Sequence, residues 1–192
     1  LEEYKIRWTS GIEDFFKSDE LLKYTYLYND VEILEWLLEK GYNMTVLTNG
    51  LPKYQDQVIE KLGLQRFFKR ITMPNPDEIK LIKPQPEIFR LATRGFQESE
   101  SHVMIGDSLY FDIYGAKKVG YKAIWLIRKL PKKLKELSIQ YRTDKINENK
   151  QFLLKYILRS APFLAFSSIQ NNLNEFKPDR IICNLQELKE LF

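Results

Sequence analysis

His102-Val-Met-Ile-Gly-Asp-Ser-Leu-Tyr-Phe-Asp112 is an apolar run that stops at a glycine and turns acidic. Val103, Met104 and Ile105 suit a short strand buried on both faces. Gly106 closes that strand, and Asp107 and Ser108 fall where it opens into a loop. Asp112 stands at the start of a helical pattern that runs towards Gly120. In open α/β sheets, ligands sit outside the carboxyl ends of the strands. Two carboxylates there are candidate ligands for a hard cation such as Mg²⁺, which prefers oxygen and keeps several waters. Asp107 also fits as the cap of the next helix, a common place for Asp and Ser.

On either side the chain alternates between short apolar runs and helical periodicity. Residues 1–17 repeat Tyr4, Trp8, Ile12 and Phe15 or Phe16 at helical spacing. Asn29-Asp30 is a plausible cap for an amphipathic helix carrying Val31, Ile33, Leu34, Trp36, Leu37 and Leu38, ended by Gly41. A buried strand at Met44–Leu47 leads into Thr48-Asn49-Gly50, and Pro52 opens a helix that reaches Leu62. A short strand is expected at Arg70–Thr72, then a loop with Pro74 and Pro76. Lys83-Pro-Gln-Pro-Glu-Ile-Phe89 leads into a helix with Ile88, Phe89, Leu91 and Ala92 facing inward. After the strand at 102–106 come a helix at 108–119 and one more buried strand, Lys122–Ile127. Strands and helices joined by a few residues predict a doubly wound α/β fold, a parallel sheet with helices on both faces.

From residue 128 the pattern changes. Pro131–Leu137 reads as a charged helix, 142–150 as a polar stretch, and 152–166 as an apolar helix broken at Pro162. Pro178–Cys183 supplies a last strand and Leu185–Phe192 a last helix. The basic run near Lys132 reads as a solvated face.

The totals exclude several classes. With 44% hydrophobic and 29% charged residues over 192 positions, the composition is that of an ordinary globular protein. No apolar run approaches the roughly 20 residues needed to cross a bilayer. The single cysteine, Cys183, rules out an internal disulfide; it fits a reducing, cytoplasmic setting and reads as a small core residue beside Ile181 and Ile182. The net charge of +4 is spread along the chain, so neither nucleic acid nor membrane is the expected partner.

A parallel sheet places Thr48 and Asp107 at the carboxyl ends of their strands, and Lys83 before a helix on the same side. A hydroxyl, backbone N–H groups near Gly50, an ammonium and two carboxylates would then share one crevice. That inventory suits a phosphoryl group: Thr48 and amides donate to its oxygens and Lys83 offsets its charge. A Mg²⁺ ion on Asp107 would stabilise charge during displacement. Taken singly, Thr48-Asn49-Gly50 is also a plain strand-end turn, and Lys83 a surface lysine.

Thr48-Asn-Gly50, Lys83-Pro-x-Pro-x-Ile-Phe89 and Gly106-Asp-Ser-x-x-x-Asp112, in that order, resemble the second, third and fourth motifs of the haloacid dehalogenase-like hydrolase superfamily. Gly115-Ala-x-x-x-Gly120 and Pro178-Asp-Arg-Ile-Ile also look like its phosphatase-type members. The resemblance covers about residues 30–127 well and 178–192 more weakly. It implies that Thr48, Asn49, Gly50 and Lys83 bind the phosphoryl group, with Thr48 and Lys83 taking part in catalysis. It implies Mg²⁺ on Asp107 and Asp112, Asp112 supporting either the metal or the lysine. It divides the chain into part of a helical cap (1–28), a core (29–127), a mainly helical insertion (128–177) and the last strand and helix of the core (178–192). The activity implied is Mg²⁺-dependent hydrolysis of a small phosphorylated metabolite, its identity and the oligomeric state left open.

The chain departs from the family in one respect. The first motif, Asp-x-Asp, supplies a nucleophilic Asp and an acid/base Asp, yet no two aspartates here lie two positions apart. With Leu1 as first residue and every methionine internal, the expectation is that this motif lies outside the sequence and that the chain as written is inactive. Two alternatives fit the same motifs: a non-catalytic phosphate-binding or regulatory protein, and a 2-haloacid dehalogenase, against which the acidic Asp107 loop argues.

Overall fold

The helix α1 (Ile33–Glu39) forms where the apolar periodicity places it, burying Ile33 and Leu37 and stopping short of Gly41. It belongs to the first of two compact units, Leu1–Pro74 and Asn75–Phe192. The computed structural model describes residues 22–74, 81–96 and 102–192, so the expected helix at 1–17 and the loop at Pro76 lie outside the described residues.

In the first unit, β1 (Met44–Leu47) is followed by α2 (Pro52–Lys61), which starts with Pro52 where a missing N–H costs nothing. A tight turn leads to β2 (Phe68–Thr72), two residues longer at its start than the sequence indicates. The strands pair in parallel with Leu47 opposite Thr72, and the Thr48 amide extends the ladder to the Thr72 carbonyl at 3.1 Å.

The second unit opens with α3 (Pro86–Ala92), then β3 (Val103–Gly106). Ile88, Phe89 and Ala92 face the core as expected, but Leu91 is 37% exposed, since at about 100° per residue it sits roughly a right angle round the helix from that face. Residues 108–119 do not form one α-helix. Leu109–Tyr114 winds as a π-helical turn and only then passes into α4 (Gly115–Lys118). The Ser108 carbonyl accepts from both the Asp112 and Ile113 amides, at 3.0 and 3.1 Å, which widens the turn. Next come β4 (Lys122–Leu126), the short α5 (Lys132–Lys135), α6 (Ile139–Glu148), α7 (Lys150–Ser160), α8 (Phe166–Asn171) and β5 (Arg180–Ile182). The last helix, Leu185–Glu190, is 3₁₀ rather than α. β3, β4 and β5 form a parallel sheet in that order. Each unit is therefore of the α/β class with parallel strands. No described helix is long and apolar enough to cross a membrane.

The segment read as polar, 142–150, hides the tightest anchor of this unit. In α6 the residues Ile139, Arg142, Thr143 and Ile146 share one buried face. The Arg142 guanidinium, 2% exposed, donates to the carbonyls of Leu134, Lys135, Leu137 and Ile181 and forms a two-pronged pair with Glu187, at 2.7 and 3.1 Å. Thr143 Oγ accepts from the Ile181 amide at 3.0 Å. Asp179 Oδ2 takes the Ala123 amide at 2.7 Å. The helix α6 is thus stitched to β5. Cys183 is buried beside Ile181 and Ile182, and burial, ahead of its charged neighbours, pushes its thiol up.

Removing the Arg142 head group would strand four carbonyls and the Glu187 carboxylate. Arg142→Met is expected to destabilise the second unit by about 3–5 kcal/mol in urea unfolding. A loss below about 1 kcal/mol would show that the clamp is not holding these elements.

Candidate active site

The site in the second unit is assembled by close approach of backbone to side chain. Gly106 ends β3, and a Cβ there would overlap the Asp112 carboxylate. Gly115, at the start of α4, lets the Phe89 ring pack against it and brings the Pro84 Cα within 3.1 Å of where a Cβ would stand. These two glycines bring the Lys83-Pro84 segment, whose peptide bond is cis, and the Asp112 turn into one cluster.

Lys83 Nζ donates to Asp112 Oδ1 at 2.6 Å, with side-chain exposures of 11% and 3%. Asp112 Oδ2 accepts from the Ser108 amide at 2.9 Å. Both carboxylate oxygens of Asp112 are therefore engaged inside the loop. Capping falls to Ser108, whose hydroxyl accepts from the Phe111 amide at 3.0 Å. Asp107 is thereby relieved of the capping role. It is exposed, and its carboxylate takes no hydrogen bond from a described residue. Its main-chain carbonyl accepts from Trp125 Nε1 at 2.9 Å.

In the first unit, Thr48 follows β1 and the Gly50 amide donates to its hydroxyl at 3.0 Å. That turn holds the hydroxyl at the carboxyl end of the strand, and Asn49 is exposed beside it. Lys83, Asp107 and Asp112 are brought together within the second unit, as are Thr48 and Gly50 within the first.

The donors suit a hard divalent ion. Mg²⁺ is held through one or two carboxylates plus phosphate oxygens and waters, not by a dedicated protein cage. An exposed carboxylate at a strand end supplies one such donor. No group of three or more His, Cys, Asp or Glu occurs among the described residues.

The second unit is thus an α/β body of parallel strands with a nearly buried lysine–carboxylate pair beside an exposed aspartate at a strand end. A family profile described as haloacid dehalogenase-like hydrolase matches residues 6–126, and the chain belongs to that family. It is 35% identical over 128 residues to a glyceraldehyde 3-phosphate phosphatase of Pyrococcus furiosus, covering 64% of this chain and 51% of that one. It is 31% identical over 124 residues to a phosphoserine phosphatase of Thermus thermophilus, covering 64% of this chain and 49% of that one. The chain thus spans about half the length of these curated relatives. The crystal structure of a HAD phosphatase from Thermococcus onnurineus superposes with a TM-score of 0.59 at 28% identity, over 89% of this chain and 61% of that one.

Sequence reasoning missed two participants, Ser108 as the cap and Trp125 as the partner of Asp107. The register signals the second, because Trp125 pairs directly with Gly106 across β3 and β4. Gly106→Ala is expected to displace the Asp112 carboxylate and lower stability by about 1–3 kcal/mol in thermal unfolding. An unchanged melting temperature would contradict this packing.

Proposed function

We propose that this chain is part of a Mg²⁺-dependent hydrolase of small phosphate monoesters. The observation that carries the reading is the Lys83–Asp112 pair beside the exposed Asp107 at the end of β3. Membership of the hydrolase family and similarity to two named phosphatases support it.

In this reading the Thr48 hydroxyl and the Asn49 amide hold the phosphoryl oxygens, and Gly50 takes part by fixing the Thr48 hydroxyl with its own amide. Asp112 holds the Lys83 ammonium in a fixed position, and that ammonium offsets phosphate charge. Asp107 binds the metal. Of the two roles the sequence leaves open for Asp112, support of the lysine fits its hydrogen bonds better, since both its oxygens are already occupied. Bound Mg²⁺ would supply charge stabilisation at the phosphate as it transfers. The substrate class is a small phosphorylated metabolite, in keeping with the substrates named for the relatives. No residue of this sequence is assigned as the nucleophile, so hydrolysis is assayed on the full-length gene product.

With p-nitrophenyl phosphate as substrate, turnover should require Mg²⁺. Asp107→Asn and Lys83→Ala should each lower kcat/KM by about 10²–10³-fold, the scale seen when one preorganised charge-stabilising group is lost. Turnover that ignores Mg²⁺, or an Asp107→Asn variant with wild-type activity, would reject the assignment.

A further inference from the structure

Trp125 is a large apolar side chain with one polar atom, and it is 1% exposed in the middle of the second unit's sheet. A buried indole N–H has to find an acceptor or lose a hydrogen bond. Here the acceptor is the main-chain carbonyl of Asp107, at 2.9 Å. The register explains the reach: Trp125 lies opposite Gly106, one residue before Asp107.

The indole is itself held from the other side. The Tyr156 ring meets it edge-on, with centroids 5.1 Å apart and planes at 78°. Phe152 does the same at 6.3 Å and 69°, and the two rings contact each other at 4.8 Å. Both come from α7, inside the insertion. Two hydrogen bonds therefore pin the loop after β3, one from Trp125 to the Asp107 carbonyl and one from the Ser108 amide to Asp112. Both bonds hold one peptide group, the one that joins Asp107 to Ser108, and on the other side of Asp107 the sheet pairs Gly106 with Trp125, so the Asp107 side chain turns only between its own rotamers.

We infer that Trp125 is a positioning residue for the cation: its indole N–H sets the Asp107 main chain so that the carboxylate points outward, and α7 acts on the metal loop through this ring. The inference rests on the reading of Asp107 as the metal ligand. It gives the 128–177 insertion a role in holding the metal loop, beyond covering the sheet.

The test uses Mn²⁺ as a paramagnetic stand-in for Mg²⁺, titrated into the full-length protein, together with hydrogen exchange of the Ser108 amide. Trp125→Phe keeps an aromatic ring against Tyr156 and Phe152 but deletes the donor. It should raise the Mn²⁺ dissociation constant about 3–10-fold and speed Ser108 exchange by a similar factor, the scale of one lost neutral hydrogen bond. Its urea midpoint should fall as well, since a core side chain is made smaller, so Mn²⁺ affinity and exchange are read without denaturant, where the variant is folded. Tyr156→Leu, which keeps the donor and loosens its support, should shift both readouts in the same direction by less.

A merely structural tryptophan would lower the urea midpoint and leave Mn²⁺ affinity unchanged, and that result would overturn the inference. So would wild-type exchange at Ser108 in Trp125→Phe. Asp107→Asn is the reference. If it binds Mn²⁺ as wild type does, the metal reading falls, and unchanged exchange or altered exchange at Ser108 still decides whether the indole holds the loop. If it abolishes binding while Trp125→Phe changes nothing, only the tryptophan inference falls.

Discussion

The second unit is organised around a nearly buried ion pair, Lys83 with Asp112. Taking two charges out of water costs several kcal/mol per ion, and only close geometry and further hydrogen bonds repay it. Asp112 meets that demand by accepting the Lys83 ammonium on one oxygen and the Ser108 amide on the other. The arrangement dictates much nearby. Gly106 lacks a Cβ because the carboxylate occupies that space, and Gly115 lacks one because Phe89 and Pro84 press against it. The widened turn at Leu109–Tyr114 delivers Asp112 back towards the end of β3. Losing either partner would leave a buried charge uncompensated, at a cost of about 3–5 kcal/mol.

That constraint divides the work of the two acidic residues. One aspartate holds the lysine and the loop, while the other is left exposed with its carboxylate available. Sequence spacing alone presents them as an equivalent pair. Their difference arises from backbone hydrogen bonds at Ser108, which no residue pattern displays. The cap was legible as a function but not as a residue, since Asp107 and Ser108 are both good cap formers.

The regular elements were the most legible part. Met44–Leu47 and Val103–Gly106 are short apolar runs bounded by glycine or polar turn residues, and both are strands. Pro52 and Pro86 each open a helix, because proline at the first helical position loses no hydrogen bond. What stayed hidden depended on partners distant in sequence. Arg142 looked like part of a polar run, although Ile139, Thr143 and Ile146 share its face at helical spacing. A buried arginine becomes favourable only once Glu187 and four carbonyls are known to surround it. Likewise Trp125 read as one more apolar residue of a buried strand. Its function rests on a single nitrogen and on where β3 ends.

Carbon-13 NMR of the aspartate side-chain carboxyls, followed as Mg²⁺ and inorganic phosphate are added to the full-length protein, tests the division of labour most directly. The Asp107 carboxyl resonance should move as the ion binds, while that of Asp112 stays near its position in the lysine pair. Movement of Asp112 with Asp107 unmoved, or no movement of either, would contradict the account.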